Sequence, residues 1–130
     1  HLHAYYLIRN SELMGLTDRE VEIIAQVARY HRKGAPKSDH AESAALTTAD
    51  QRIVRSLAGL LRIAIGLDRT YDARVKSVST KLTADELIIA VKPRGKKADV
   101  SLNLYAANER KGLLSEVLQR KIKFTDATSA

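Results

Sequence analysis

The sequence has no cysteine and no tryptophan, and only two of its 130 residues are proline and one is phenylalanine. The absence of cysteine excludes disulfide bonds, zinc–thiolate sites and thiol catalysis. No run approaches the roughly eighteen apolar residues of a membrane-spanning helix, and no signal-peptide pattern is present. These absences favour a cytoplasmic protein with no membrane partner.

Basic residues are in excess, because 22 Lys and Arg stand against 15 Asp and Glu for a formal net charge of +7. This charge favours anionic partners such as nucleic acid, polyphosphate, nucleotides or acidic lipid, and does not choose among them. The 45% of hydrophobic residues suffices for the core of one ordinary domain. Because the chain starts at His1 without an initiating Met, we expect it to be a segment of a longer polypeptide.

Helical periodicity dominates the first half of the chain. Residues 1–10 are expected to end a helix that enters from upstream sequence. The capping box Thr17-Asp18-Arg19-Glu20 starts a second helix, which Gly34-Ala35-Pro36 stops. A long helix is predicted from Thr47 or Thr48 to about Arg69. Its expected core row is Ile53, Leu57, Leu60, Leu61, Ala64 and Ile65.

Strand-like alternation follows residue 72. Val75–Leu82 and Leu87–Lys92 are predicted to form a hairpin, and residues 121–124 a final strand beside it. Between them, Asp99 can cap one helix that extends to Leu118, while the alternation of Val100, Leu102 and Leu104 also fits a strand at its start. The predicted fold class is therefore mainly α with a small α/β extension, divided into a helical part at 1–72, with upstream helices missing, and the extension at 73–130.

The end of the second helix is the most informative segment. Its apolar row is Val21, Ile24, Ala25 and Ala28, and His31 is the next residue on that row. Arg29, Arg32 and Lys33 project from other faces as a basic collar. This pattern fits a polyanion site, but from this helix alone a hydrogen-bonded core histidine beside a solvated helix end is the commoner interpretation.

Four segments together carry a family resemblance. They are His1-x-His3-x-x-Tyr6-Leu7-Ile8, Gly15-Leu16 before an acidic helix start, Ala28-Arg29-Tyr30-His31-Arg32-Lys33, and Leu61-Arg62-Ile63-Ala64-x-Gly66-Leu67-Asp68-Arg69. With these segments in this order, the chain resembles the C-terminal region of the exopolyphosphatase and guanosine-pentaphosphate phosphohydrolase family.

The resemblance implies an HD-like helical domain followed by a small α/β extension. In this family the catalytic carboxylate and phosphate-binding loops lie in N-terminal domains, and no Walker-type loop occurs here. The fragment alone is therefore not expected to be catalytic. The resemblance also implies magnesium for the full-length enzyme, no cofactor in this chain, and a homodimer associated with its own N-terminal domains.

An HD metal centre needs histidines, a His-Asp dyad and a distal acid. His1, His3 and His31 could match the histidine positions, but the dyad is missing and Ile65 stands where the distal acid is expected. Asp68 is the remaining acidic candidate, and an ion-paired helix-end acid is the other interpretation. We assign no metal ligand.

Arg55, Arg62 and Arg69 repeat every seven residues, and their guanidinium forks match phosphate oxygens. A solvated helix face is the alternative. The predicted polyphosphate-binding residues are Arg29, His31, Arg32, Lys33, Arg55, Arg62 and Arg69. A second basic patch, Lys92, Arg94, Lys96 and Lys97, is interpreted as a solubilising loop.

The leading hypothesis is an accessory domain that binds polyphosphate or guanosine pentaphosphate and contributes to assembly. Three alternatives stay open: a self-sufficient HD metal phosphohydrolase, a purely structural dimerisation domain, and a basic nucleic-acid-binding module. The last fits the charge, although the chain has only five Tyr and one Phe and no RNA-binding aromatic motif.

Overall fold

A computed structural model describes residues 2–32 and 46–127. In chain order its elements are α1 (Leu2–Arg9), α2 (Asp18–Arg29), α3 (Thr48–Leu67), β1 (Val75–Leu82), β2 (Glu86–Pro93), α4 (Ser101–Glu109), α5 (Gly112–Leu118) and β3 (Lys121–Asp126). The architecture is mainly α with a small α/β extension, which confirms the predicted fold class. Two compact units are present, His1–Gly59 and Leu60–Ala130. The predicted domain division at residue 72 stays a prediction.

Helix α2 of the first unit begins with the predicted capping box. The Thr17 hydroxyl accepts a hydrogen bond from the Glu20 amide at 3.1 Å, and the Glu20 carboxylate accepts one from the Thr17 amide at 2.9 Å. These two bonds satisfy amide groups that a helix start otherwise leaves unpaired. The bond from the Thr17 amide also lowers the pKa of Glu20.

Helix α2 ends at Arg29, four residues before the predicted end at Lys33. In a continuing helix, the Ala28 carbonyl would accept a hydrogen bond from the amide of Arg32. Instead the His31 ring donates its Nδ1–H to that carbonyl, and Tyr30, the residue after the helix, is buried. The side chain of His31 thus helps to end the helix that it was predicted to extend.

The predicted inward row of α2 is partly wrong. Val21 and Ala25 are buried as expected, but Ile24 is 40% exposed and its neighbour Ile23 is 7% exposed. Gln26 is also fully buried, and its side-chain amide donates to Glu22 at 2.9 Å. The buried face therefore includes a polar side chain, which a search for apolar spacing passes over.

Helix α3 covers the predicted span but turns a different face inward. Leu57 and Leu60 of the predicted core row are 43% and 51% exposed, whereas Val54 and Ala58 are fully buried. Ile53, Leu61 and Ala64 are exposed and Ile65 is half-buried. The buried apolar side chains of this helix are Val54, Ala58 and Ile63, so the row of large apolar residues chosen from the sequence is the wrong one.

The C-terminal part of α3 crosses α4 closely within the second unit. A Cβ atom on Gly66 would lie 2.7 Å from the Cα and from the amide nitrogen of Ala107. Because those are backbone atoms, no side-chain rotation could relieve the clash. Asn103, fully buried on α4, donates its Nδ2 to the Leu67 carbonyl at 2.8 Å and so caps the end of α3.

The three strands form one sheet in the order β1-β2-β3. The β1–β2 hairpin is antiparallel, as predicted, and β3 joins β2 in parallel, which requires a crossover connection. Helices α4 and α5 provide it. The core of this unit consists of Ile63, Ile89, Val91, Ala107, Leu114 and Ile122.

The crossover contains two helices where one was predicted. The Asp99 carboxylate accepts a hydrogen bond from the Ser101 amide at 2.9 Å, and this bond lowers the pKa of Asp99. Val100, and not the predicted Asp99, is the residue directly before the helix. The helix then breaks after Glu109, where the Lys111 ammonium group donates to the Ile122 carbonyl at 2.9 Å. This bond to β3 joins residues eleven positions apart, so local periodicity gave no sign of the break.

Candidate functional site

The predicted basic collar lies at the end of α2. The Arg29 guanidinium sits 5.1 Å from the centre of the Tyr30 ring, a cation–π geometry. His31 is half-buried and Arg32 is exposed. Lys33 lies outside the described residues. The end of α2 therefore combines an exposed arginine with an arginine and a histidine whose positions are set by neighbouring groups.

Acidic groups near α2 are already paired with other side chains. The Tyr5 hydroxyl donates to Glu22 at 2.8 Å, and Arg9 lies 3.1 Å from the other oxygen of the same carboxylate. Arg9 also contacts Asp18 at 3.0 Å, and this hydrogen bond raises the arginine pKa. These contacts join α1 to α2, and they partly neutralise Glu22 within the first unit.

A second ion pair joins α2 to the start of α3. Arg19 makes a two-pronged contact with Asp50, including an Nε–Oδ2 distance of 2.8 Å. The Asp50 side chain is 7% exposed and that of Arg19 is 59% exposed. The Arg19 hydrogen bonds lower the pKa of Asp50, and the same contact raises the pKa of Arg19. This ion pair holds α2 against the start of α3, and sequence spacing did not predict it.

The three arginines predicted to form one stripe have different surroundings. Arg55 and Arg62 are half-buried and lie two turns apart on α3, in the first and second unit respectively. Burial lowers the pKa of Arg62. Arg69 lies two residues beyond Leu67, the last residue of α3, and is exposed. Whether these arginines bind phosphate stays a prediction.

The described residues among the possible metal ligands, His3, His31 and Asp68, do not form a metal site. His3 is exposed on α1, Asp68 is exposed after α3, and His31 uses Nδ1 on the Ala28 carbonyl. His1 lies outside the described residues. Across residues 2–32 and 46–127, no group of three or more His, Cys, Asp or Glu side chains could hold a metal ion.

The structure brings together two arginines that the sequence did not connect. The Arg94 amide donates to the Arg74 carbonyl at 2.7 Å, and the Arg94 guanidinium donates to the Ala73 carbonyl at 2.7 Å. Both arginines adjoin strands of the predicted hairpin. Their pairing follows from its register, in which Val75 lies opposite Pro93.

Comparison with protein families gives a match that covers most of this chain. The model of the Ppx/GppA phosphatase family, domain III, matches residues 1–111. The chain belongs to this family. Comparison with curated proteins gave no match. The matched region covers both the helical first unit and most of the second, so the chain is an accessory domain of a Ppx/GppA phosphatase.

Within the described part of this Ppx/GppA domain, no helix is both long and apolar enough to cross a bilayer. The longest, α3, has 20 residues but carries charged side chains along its length. The family match itself agrees with the resemblance carried by the four sequence segments.

Proposed function

We propose that this chain is the substrate-binding and assembly domain of an exopolyphosphatase-like hydrolase. The match to domain III of the Ppx/GppA phosphatases is the observation that carries the proposal. The substrate would be inorganic polyphosphate or guanosine pentaphosphate. Hydrolysis of the phosphoanhydride bonds would take place in N-terminal catalytic domains, outside this chain.

Polyphosphate would contact basic side chains of each unit separately. In the first unit these are Arg29, His31, Arg32, Lys33 and Arg55, and in the second unit they are Arg62 and Arg69. Guanidinium groups suit this role because they stay charged and present paired donors to phosphate oxygens. The pairing of Glu22 with Arg9 and Tyr5 also reduces local repulsion of an anion.

The proposal assigns no metal ligand to this chain. The described histidines and carboxylates do not form a metal cluster, so they do not fit a hydrolytic metal centre. Magnesium is proposed for the full-length enzyme, bound outside this chain. We further propose that this enzyme is a cytoplasmic homodimer.

Affinity measurements on exposed arginines test the binding proposal. Arg32→Gln and Arg69→Gln should each weaken polyphosphate binding by a few-fold in isothermal titration calorimetry at low salt. Each should also reduce the salt dependence, because fewer counterions are released, by analogy with nucleic acids. Lys121→Gln removes an exposed charge outside the predicted set and is the matched control. Equal affinity for the wild type and both arginine variants would contradict the assignment.

A further inference from the structure

The turn after α3 and the loop after β2 form a basic surface in the second unit, here called the turn–loop surface (residues 68–76 and 92–99). These two segments contain seven basic and three acidic side chains, so they carry a formal +4 of the chain's +7. They are held together by the Arg94 bonds to the Arg74 and Ala73 carbonyls. The solubilising loop of the sequence interpretation is thus one half of a larger charged surface.

Two of the acidic groups on this surface are hydrogen-bonded locally. Asp72 accepts from the Thr70 hydroxyl and from the Arg74 Nε, both at 2.6 Å. Asp99 accepts from the Ser101 amide at 2.9 Å. Arg74 also reaches the Asp99 carbonyl with Nη1 at 3.1 Å. The acids therefore orient the turn and one arginine, while Arg69, Arg94 and the four lysines remain exposed.

An exposed aromatic ring lies on the same turn. Tyr71 is 78% exposed, and its backbone has a φ of 57°. Ala73, two residues later, also has a positive φ, of 56°. Residues with a Cβ rarely adopt this left-handed conformation, and it tends to persist where surrounding contacts enforce it. Hydrogen bonds to the two residues after Tyr71, at the Asp72 carboxylate and the Ala73 carbonyl, provide those contacts and hold the turn that presents Tyr71.

We propose that the turn–loop surface binds single-stranded nucleic acid, with one base stacked on Tyr71 and phosphates on Arg69, Arg94 and the neighbouring lysines. Exposed aromatic rings beside cationic side chains are the general means of binding single strands without sequence preference. An inorganic polyanion would use the charges but gain nothing from the ring. The open position of these side chains, on a turn and a loop, suits a polymer better than an enclosed small molecule.

Binding of single-stranded nucleic acid would be a function additional to polyphosphate binding, and it can be tested separately. The full 130-residue chain is titrated into fluorescein-labelled oligouridylate, and binding is followed by anisotropy. The comparison ligand is an abasic ribose-phosphate strand of equal length. We expect the oligouridylate to bind more tightly at equal salt, because only it can stack on Tyr71.

Substitutions separate the ring from the charges. Tyr71→Ala should weaken oligouridylate binding by at least about fivefold, the lower end of base–aromatic stacking, and Tyr71→Phe should restore it. Lys96→Gln removes an exposed charge of this surface without touching the bonds that hold the turn, and it should reduce the slope of log K against log salt by about 0.7, the value for one phosphate contact on a single strand. Tyr105→Ala, an exposed tyrosine on α4, and Lys121→Gln, at the other end of the sheet, are the matched controls.

Each outcome decides the proposal. Circular dichroism first establishes that every variant is folded. Loss of binding in Tyr71→Ala with retention in Tyr71→Phe and Tyr105→Ala supports it. Equal affinity for oligouridylate and the abasic strand, unchanged binding by Tyr71→Ala, or no binding at all would overturn it. Inorganic polyphosphate competing as well as oligouridylate at equal charge, without sensitivity to Tyr71, would indicate a plain phosphate surface instead.

Discussion

Both compact units bury apolar side chains, among them Val21 and Val54 in the first, but they differ in the contacts that join their elements. In the first unit, charged and polar side chains join the helices: Arg9 and Tyr5 bind Glu22, and Arg19 binds Asp50. In the second unit, the sheet and its helices enclose an apolar cluster that includes Ile89, Val91 and Ile122. Ion pairs depend on pH and ionic strength, whereas apolar packing depends on shape and volume. The two units should therefore respond to different perturbations.

The largest effect is expected from Gly66→Ala, which attacks the packing of the second unit. The added methyl group would clash with the backbone of Ala107, so the helices must separate. Destabilisation of about 3 kcal/mol is expected from overpacking of this kind. Urea unfolding measures it, and hydrogen exchange should show faster opening of the sheet than of α2.

Gly112→Ala is the matched control for this substitution. No heavy atom lies within 4 Å of the position of its added Cβ. Its effect should be neutral or stabilising by up to about 1 kcal/mol, because alanine favours helix more than glycine does. Similar destabilisation by both substitutions would contradict the close-crossing interpretation.

The next effect concerns the ion pair of the first unit and depends on pH. Because Arg19 lowers the pKa of Asp50 in the folded protein, the carboxylate stabilises the fold above its unfolded pKa of about 3.9. This contribution is lost as the pH falls through the folded pKa. Asp50→Asn should thus lower the Tm by several degrees near neutral pH, and the gap to wild type should narrow below about pH 4.

Asp18→Asn provides the control for that pH profile. Its side chain is 87% exposed, and exposed ion pairs contribute little to stability. Its Tm should stay close to that of the wild type throughout. A constant gap between Asp50→Asn and wild type down to the lowest pH would show that the charge of Asp50 is not the source of the effect.

A smaller effect is expected at the start of α2. Thr17→Ala removes the hydroxyl that accepts a hydrogen bond from the Glu20 amide. It should lower the free energy of unfolding by about 1 kcal/mol. Thr17→Ser keeps the hydroxyl and should remain close to wild type. Chemical denaturation measures both. Equal losses in the two variants would exclude the capping bond as the cause.

Features set by neighbouring residues in the chain were predictable from the sequence. The capping box at Thr17, the hairpin starting at Val75 and the strand at residues 121–124 all depend on local spacing, and the structure confirms them. Four segments between His1 and Arg69 together carried the family resemblance, and the domain match confirms that membership.

Features set by contacts between distant residues were not predictable. The inward face of α3 includes Gly66, whose lack of a side chain permits the approach of Ala107, and a pattern of large apolar residues cannot reveal this. At the early end of α2, the ring of His31 donates a hydrogen bond to the Ala28 carbonyl. The joining of Arg74 with Arg94 likewise requires the hairpin register. The roles of the predicted phosphate-binding residues remain predictions.

The central claim is that this domain binds polyphosphate and leaves its hydrolysis to other domains. In the most direct measurement, the purified chain is incubated with polyphosphate and magnesium, and complex formation and phosphate release are followed in the same sample. We predict a complex that weakens steeply with added salt, together with no release of phosphate above the buffer control. Phosphate release that follows the folded chain through purification, or no complex at low salt, would contradict the account.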